Sequence, residues 1–359
     1  MQSAIITQIR SNFFLKPVLI LVSYGFAVLI WIRNTLFDQG MLRIRKFDLP
    51  VISVGNIAAG GTGKTPFTME LIRLLNQKYK RIAIISRGYR RQSHGMQLVS
   101  DGQGFLAGVE TGGDEPVLMA KRFPDCVVLV AEKRSQAIEQ AIRQFQTELI
   151  ILDDAFQHRW VKRDADIVLL AQSDLAATEG LLPAGRLREP LSSLRRANLV
   201  MLISKESNRP VGNCTDLQRY YRGYAGSGQI KVDCLVDANL TPLAAADGLK
   251  HLAGRPVIAF AGIADPDSFK NILQTAGIDL RCLIVYPDHH IYSEQDLIKI
   301  KSAAREKECV DLLTTEKDLV KLPADQFREF KLLAIRIKIC LESPQHFQQK
   351  LEEFIDKTG

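Results

Sequence analysis

Short runs of β-branched and other apolar residues alternate with segments of helical apolar spacing along most of this chain. Continuous apolar runs of about four to eight residues are typical of strands buried on both faces of a sheet. The first strands are predicted at residues 51–54, 82–86, 127–131, 149–152, 167–171 and 199–203, with helices at 66–79, 115–123 and 133–146. Strands separated by helices predict a parallel α/β sheet with helices on both faces.

The alternation restarts after a polar stretch rich in Gly, Ser and Asn at residues 207–228. Further strands are predicted at residues 230–236, 257–260, 282–286, 310–314 and 332–340, with helices after Asp265, Ser293 and Ser343. We therefore predict three parts: an N-terminal hydrophobic, membrane-associated helix at 1–34, a core α/β domain at 35–225, and a second, smaller α/β domain at 226–359.

Residues 13–32 are almost entirely apolar. The uninterrupted part, residues 17–32, would form a helix of about 24 Å, shorter than the ~30 Å hydrocarbon core of a bilayer. Three interpretations therefore stay open: a membrane span, a helix lying in the membrane interface, and a buried core helix. The basic residues that follow it suit anionic lipid headgroups, and they are Arg33, Arg43, Arg45 and Lys46.

Composition and charge narrow the class of protein only slightly. The 359 residues are 46% hydrophobic and carry a formal net charge of +7, which suits a nucleotide, a nucleic acid or an anionic membrane as partner. Nucleic acid is disfavoured, because the sequence has no helix-turn-helix, RNP or Cys/His-finger signature and only 7% aromatic residues. The six cysteines are scattered without a C-x-x-C pair, which is typical of reduced thiols in a cytoplasm.

A glycine-rich stretch separates the first predicted strand from the first predicted helix. It reads Gly60-Gly-Thr-Gly-Lys64-Thr65, so strand, turn, Gly-Lys-Thr and helix follow one another as in a phosphate-binding loop. Glycines let successive N–H groups point at a phosphate, and a helix N-terminus adds about half a positive charge. The motif has glycine where this chain has Ala58, so a plain glycine-rich turn with a solvent-facing lysine is the alternative.

We predict that this stretch binds the phosphates of a nucleotide and belongs to a P-loop NTPase-like parallel sheet domain. Lys64 would reach the β- and γ-phosphates, and the Thr65 hydroxyl would bind Mg²⁺. The predicted ATP-binding residues are Ala58, Ala59, Gly60, Gly61, Thr62, Gly63, Lys64 and Thr65.

Polar residues follow other predicted strands, where parallel α/β sheets bind ligands. Asp153 and Asp154 end the fourth strand and suit the second Mg²⁺ contact of a P-loop enzyme. His158 nearby raises the alternative of a transition-metal site, but phosphate and carboxylate oxygens favour Mg²⁺. Asp114 precedes a predicted helix and fits its N-cap, because Pro116 suits the first helical turn. A histidine pair at 289–290 follows a predicted strand of the second half. It is a candidate for a chemical role, and the alternative is an exposed loop position without one.

Taken in order, these motifs resemble the tetraacyldisaccharide 4'-kinases, the lipid A 4'-kinases of Gram-negative bacteria. The resemblance covers nearly the whole chain, including the N-terminal apolar helix. Besides the glycine-rich loop, it rests on Arg87-Gly-Tyr, Gly113-Asp-Glu-Pro, Asp153-Asp-Ala-Phe-Gln-His, Gly185-Arg-Leu-Arg-Glu-Pro, Pro287-Asp-His and Thr314-Thr-Glu-Lys-Asp.

The resemblance implies transfer of the γ-phosphate of ATP to the 4'-hydroxyl of a tetraacylated glucosamine disaccharide 1-phosphate, giving lipid IVA. It implies Asp114 as the general base, oriented by His289 in a cleft between the domains, with Lys64 balancing the developing charge. The implied Mg²⁺ ligands are Thr65, Asp153 or Asp154, and Glu189. The implied phosphate or substrate contacts are Arg87, Gln157, His158 and Arg188.

The acylated glycolipid acceptor implies work at the cytoplasmic face of the inner membrane, with no nucleic acid and no protein partner implied. Lys317 is left out of the predicted site, because pairing with Glu316 or Asp318 would explain it. Two other functions compete. A membrane-associated P-loop ATPase switch would carry lysine at the position of Ala59, and a GTP-binding module would carry Asn-Lys-x-Asp after a strand. The sequence disfavours both.

Overall fold

The structure is a computed structural model that describes residues 15–175, 180–205, 215–243 and 248–356. The helices are α1 (Leu15–Asp38), α2 (Lys64–Leu75), α3 (Val109–Gly112), α4 (Asp114–Arg122), α5 (Arg134–Phe145), α6 (Thr215–Gln218), α7 (Pro266–Thr275), α8 (Glu294–Glu306), α9 (Glu316–Leu319) and α10 (Pro344–Ile355). Short 3-10 turns lie at Gln172–Leu175, Leu191–Arg196, Gly248–Leu252 and Ala324–Phe327.

The strands of the described residues form one sheet. They are β1 (Val51–Asn56), β2 (Ile82–Ser86), β3 (Gln97–Asp101), β4 (Val127–Val130), β5 (Leu149–Asp153), β6 (Ala165–Leu170), β7 (Leu199–Ser204), β8 (Tyr224–Val236), β9 (Pro256–Ala261), β10 (Asp279–Val285), β11 (Asp311–Thr315) and β12 (Lys331–Leu341). Their order across the sheet is β10-β9-β11-β12-β8-β7-β6-β1-β5-β2-β4-β3.

The sheet consists of two sets of parallel strands that meet at β8 and β12. The first set contains β8, β7, β6, β1, β5, β2 and β4, with β3 antiparallel at its edge, and the second contains β12, β11, β9 and β10. β8 pairs in parallel with β7 and in antiparallel with β12, so the two sets run in opposite directions. The predicted α/β class is confirmed. The predicted division between residues 225 and 226 falls inside β8 and stays a prediction.

One apolar core extends under both sets of strands. The helix α2, which follows the glycine-rich loop, packs against β12. Phe67 of α2 meets Phe347 of α10 edge to face, with 5.8 Å between the ring centroids. The helix that carries the loop is therefore held by side chains from both halves of the chain.

Two parts of the sheet were not predicted from the pattern. β3 has only two apolar residues in five and lies at the sheet edge, where no second partner requires an apolar run. The start of β8 is rich in glycine and therefore looks like a linker. A Cβ on Gly226 would lie 2.8 Å from Met201 Sδ, and one on Gly228 would lie 3.2 Å from Ile339 Cγ2. These glycines allow close packing inside the sheet.

The helix α1 lies on the surface of the body and presents an apolar face to solvent. An 18-residue window has a mean hydropathy of 2.1, and only 11% of that window is buried. Its exposed large apolar side chains are Leu15, Val18, Ile20, Leu21, Val22, Tyr24, Val28, Leu29, Trp31 and Ile32. The alternative of a buried core helix is therefore wrong, and association with a membrane is supported. Residues 1–14, where the apolar stretch begins, lie outside the described residues.

Candidate active site

The glycine-rich stretch forms a loop between the carboxyl end of β1 and the N-terminus of α2. Gly60 and Gly63 have φ angles of 121° and 80°, which residues with a Cβ rarely adopt. Lys64 is the first residue of α2 and Thr65 the second, and the first turn of α2 contains no acidic residue. A tight loop that leads into a positively polarised helix N-terminus suits a phosphate group.

Ala58 stands at the motif's first glycine position without strain. Its φ is not in the left-handed region, so the backbone there does not require glycine. The side chain is fully buried and Ala58 forms a β-bridge with Leu187. The adjacent Ala59 N–H donates to the carbonyl oxygen of Arg186 at 2.7 Å. Residues 181–190 therefore form a wall that holds the start of the loop.

Two side-chain amides fix the base of the loop. The Nδ2 atom of Asn56, a fully buried residue, donates to the Ala58 carbonyl at 2.6 Å and to Thr62 Oγ1 at 2.9 Å. Gln157 Nε2 donates in turn to the Asn56 carbonyl at 2.7 Å. Gln157, predicted as a phosphate or substrate contact, is thus engaged in shaping the loop.

Asp154 faces the two predicted phosphate-binding cations. Lys64 Nζ lies 3.6 Å from Asp154 Oδ1, and Arg188 Nη1 donates to both carboxylate oxygens at 3.1 Å. Burial opposes ionisation of Asp154, but the charges of Lys64 and Arg188 hold its pKa below the usual value. Asp154 has a φ of 45°, a conformation that costs a non-glycine residue about 1–2 kcal/mol and re-aims the side chain after the strand.

Asp153 has a different environment from its neighbour. It is buried at the end of β5, where it accepts hydrogen bonds from Thr68 Oγ1 at 3.1 Å and Ser86 Oγ at 3.4 Å. Burial, with the nearby carboxylates of Glu115 and Asp154, raises the pKa of Asp153 to about 7. Carboxylate oxygens are the ligands that Mg²⁺ prefers, and a divalent cation would offset the repulsion among these carboxylates. The residues present therefore fit Mg²⁺.

Asp114 and His289 come from opposite halves of the chain and meet. His289 Nδ1 lies 2.8 Å from Asp114 Oδ2 and 3.0 Å from Oδ1. Asp114 begins α4 as its first helical residue, so Gly113 and not Asp114 is the N-cap. His289 has a φ of 60°, and its N–H donates to the Gly262 carbonyl at 3.1 Å.

The carboxylate of Asp114 is nearly inaccessible to solvent, with 5% of the residue exposed. Burial opposes its ionisation, but the hydrogen bond with His289 and the charge of Lys317 hold the pKa of Asp114 below the usual value. Asp114 is therefore ionised at neutral pH and can accept a proton.

Two residues of this site were missed in the sequence. The sequence predicts that Lys317 pairs with Glu316 or Asp318, but its Nζ lies instead 3.1 Å from His289 Nε2 and 3.4 Å from Glu115 Oε1. Glu115 follows Asp114 in α4, and its charge also raises the pKa of Asp153. Glu115 follows Asp114 directly, and Lys317 stands within Thr-Thr-Glu-Lys-Asp. Their places in motifs already noted were the signal that could have identified them.

Glu189 is placed differently from the prediction. It is fully buried, and its oxygens accept hydrogen bonds from Arg33 Nη2 at 2.7 Å, Arg196 Nη1 at 2.9 Å and Asn34 Nδ2 at 3.2 Å. The Glu189 side chain has no exposed surface and its oxygens accept three hydrogen bonds, so it has little capacity left for a cation, whereas the Asp154 side chain is 33% exposed. These contacts make Glu189 an anchor of α1, which contributes Arg33 and Asn34, and its predicted contact with Mg²⁺, directly or through water, stays a prediction.

Among the described residues, neither Arg87 nor His158 forms a hydrogen bond or ion pair with Asp114 or His289. Arg87 is exposed, and its charge acts on His158. Burial, together with Arg134, Arg163 and Arg87, lowers the pKa of His158 to about 3, so that imidazole is neutral. Arg87 suits an anionic group, whereas a phosphate contact by His158 would need a neutral N–H donor.

A parallel sheet whose first strand leads through a glycine-rich loop into a helix defines the P-loop nucleotide-binding class, and this chain is of that class. The carboxylates at the end of β5 and the Asp–His pair add what phosphoryl transfer to a hydroxyl requires. Within the class, the chain belongs to the tetraacyldisaccharide-1-P 4'-kinase (LpxK) family, which it matches over residues 15–356.

Named relatives agree with this assignment over nearly the full length. The chain is 37% identical over 345 residues to the tetraacyldisaccharide 4'-kinase of Aquifex aeolicus, covering 95% of this chain and 98% of that one. It is 38% identical over 342 residues to the enzyme of the same name from Syntrophus aciditrophicus, with 93% and 91% covered. A crystal structure of LpxK from A. aeolicus in complex with ATP superimposes with a TM-score of 0.80, at 35% identity and with 95% and 99% covered.

Proposed function

We propose that this protein transfers the γ-phosphoryl group of ATP to the 4'-hydroxyl of a tetraacylated glucosamine disaccharide 1-phosphate, producing lipid IVA for lipid A. The observation that carries the proposal is the Asp114–His289 pair, 2.8 Å apart, within a chain that also has the phosphate-binding loop. Membership of the 4'-kinase family supports the acceptor, and the ATP complex of the A. aeolicus relative supports the donor.

On the donor side, the loop would hold the phosphates of ATP. Lys64 and Arg188 both form ion pairs with Asp154. These two cations would balance the charge on the transferred group. Thr65, Asp153 and Asp154 would hold Mg²⁺, which would supply positive charge to neutralise the phosphates.

On the acceptor side, Asp114 would accept the proton of the 4'-hydroxyl. The hydroxyl oxygen forms a bond to the γ-phosphorus, while the bond from phosphorus to the β–γ bridging oxygen breaks and its electron pair stays on ADP. His289 donates its Nδ1–H to Asp114, so it orients the carboxylate that takes the proton. The ionised form of Asp114 is the form that this step needs.

The helix α1 would hold this site at the cytoplasmic face of the inner membrane. Its apolar face is exposed, and a tetraacylated acceptor resides in the bilayer. Ser23 Oγ of α1 contacts the wall segment directly, donating to the Leu181 carbonyl at 3.0 Å and accepting from Ala184 N–H at 3.0 Å. The membrane contact and the phosphate-binding loop therefore share the support of residues 181–190.

One experiment tests the reaction itself. The full chain is incubated in detergent–lipid mixed micelles with ATP labelled at the γ-phosphate and the tetraacyl disaccharide 1-phosphate. We expect the label in the glycolipid. Label found only in free phosphate would show an ATPase and refute the kinase proposal. Label that stays in ATP would refute transfer chemistry altogether.

A second experiment tests the dyad. Asp114→Asn and His289→Ala should each lower kcat by about 10²–10⁴-fold, the usual effect of losing general-base catalysis. Exposed residues of the same types serve as matched controls, and Asp125→Asn and His251→Ala should leave kcat unchanged. Wild-type turnover in either dyad variant would refute the assignment of that residue.

A further inference from the structure

The ammonium group of Lys317 lies among three acceptors. Its Nζ atom is 3.1 Å from His289 Nε2, 3.3 Å from Asp288 Oδ1 and 3.4 Å from Glu115 Oε1. An ammonium group has three hydrogens to donate. The side chain is only 20% exposed, so these contacts replace much of its hydration.

The same short helix places both Lys317 and the backbone of His289. Thr315 caps α9 by accepting a hydrogen bond from Asp318 N–H. The Asp318 carboxylate accepts from Gly262 N–H at 3.0 Å, and the Gly262 carbonyl accepts from His289 N–H at 3.1 Å. A Cβ on Gly262 would lie 3.1 Å from Asp318 Oδ1, so this close approach depends on glycine. Lys317 is therefore built into the support of the dyad and is not a mobile surface cation.

We propose that Lys317 is a positioning residue of the dyad, which donates a hydrogen bond to Nε2 of His289 and so holds the imidazole with its Nδ1–H directed at Asp114. The proposal rests on the dyad proposed above. A neutral imidazole has one N–H, and the hydrogen bond at one nitrogen decides which nitrogen carries it. With Nε2 occupied as an acceptor, the hydrogen resides on Nδ1, which faces the carboxylate that receives the substrate proton.

Lys317 also balances the charge of this site. Asp114 and Glu115 of α4 and Asp288 of the loop after β10 surround it, while Lys321 is a second cation that acts on Asp114. Lys317 Nζ lies 3.9 Å from Asp114 Oδ2. An opposite charge at this distance lowers a carboxyl pKa by about 1–3 units. Removing it should move Asp114 toward the protonated form, which cannot accept a proton.

The test compares Lys317→Met, which removes charge and donor, with Lys317→Arg, which keeps both. The pH profile of kcat/KM is measured with γ-labelled ATP in mixed micelles, and Lys270→Met on the exposed face of α7 serves as the control. The profile is recorded at saturating Mg²⁺, which would keep Asp153 ionised, and ionisations of ATP and glycolipid are common to all variants, so differences between variants report on Asp114. We expect the acid limb of Lys317→Met to move up by about 1 pH unit or more, while Lys317→Arg and the control keep the wild-type limb.

Thermal unfolding of each variant separates this role from a purely structural one. If Lys317→Met does not fold, Lys317→Gln, which keeps a donor and removes the charge, takes its place in the comparison. An acid limb that stays at the wild-type pH in the charge-removing variant, or that moves equally in Lys317→Arg, would overturn the proposal. Label transfer by the wild type and its loss in Asp114→Asn would still stand in that case, so the two proposals fail separately.

Discussion

Replacing Glu189 by Gln should destabilise the protein without changing its requirement for Mg²⁺. Glu189 is fully buried and lies between Arg33 of α1 and Arg196 of the Leu191–Arg196 turn, at 2.7 and 2.9 Å. Gln keeps the volume and one acceptor oxygen but lacks the charge, so it can satisfy only one of the two guanidinium groups. The contact between α1 and the body should therefore weaken.

The size of the effect follows from the burial of the three groups. Arg196 is 18% exposed and would be left without its charged partner, whereas Arg33 is 33% exposed and can be hydrated. Loss of one hydrogen bond to a charged group costs about 1.5–3 kcal/mol. With an unfolding entropy of about 2.1 cal/mol/K per residue, that corresponds to roughly 2–4 °C in the unfolding midpoint of a chain of this length.

The pH dependence has a defined sign. Burial opposes ionisation of Glu189, but Arg196 and Arg33 hold its pKa below the usual value. The stabilisation is therefore fully present above the unfolded-state pKa, about 4.3, and is lost as the pH falls through the lower folded-state pKa. The difference between wild type and Glu189→Gln should be constant near neutral pH and should disappear in strong acid.

The assay measures two quantities on each variant: the thermal unfolding midpoint and the Mg²⁺ concentration that gives half-maximal activity. Asp154→Asn is the comparison, and it should raise the Mg²⁺ requirement. The reasoning would be refuted if Glu189→Gln kept the wild-type midpoint and raised the Mg²⁺ requirement, because Glu189 would then act as a metal ligand.

Two further predictions concern the loop and the surface helix. Gly63→Ala should weaken ATP binding and cost about 1–2 kcal/mol of stability, because φ is 80° and the new Cβ would lie 3.1 Å from Ile230 Cδ1. Gly104→Ala in the loop after β3, where a Cβ also meets open space, is the control in a nucleotide-binding titration, and equal affinities would contradict the strain argument. Leu21→Asp and Leu29→Asp, at 72% and 66% exposure, should change the free energy of unfolding by no more than about 0.5 kcal/mol yet reduce flotation with anionic liposomes. Undiminished flotation of both would show that α1 is not the membrane contact.

The local features of this protein were readable from its sequence. The apolar runs of β1, β2, β4 and β5 predicted strands because both faces of each are buried. The glycine-rich loop and the strand-end carboxylates were found because each signal lies within a few consecutive residues. β3 and the glycine-rich start of β8 were missed, since β3 has only two apolar residues in five and the glycines of β8 are typical of a linker.

The sequence by itself determined the α/β class, the phosphate-binding loop and the residue types available for phosphoryl transfer. Only the tertiary structure decided which of these side chains meet. Strands β1 and β10 run in opposite directions in one sheet, so the order of elements alone would put the loops after them at opposite edges. The β8–β12 pair has a register shift between Arg336 and Ile337, and such irregularities increase the twist of a sheet. The contacts of His289 with Asp114, of Lys317 with Glu115 and of Glu189 with Arg33 each join residues more than a hundred positions apart, so only the folded chain brings these side chains together.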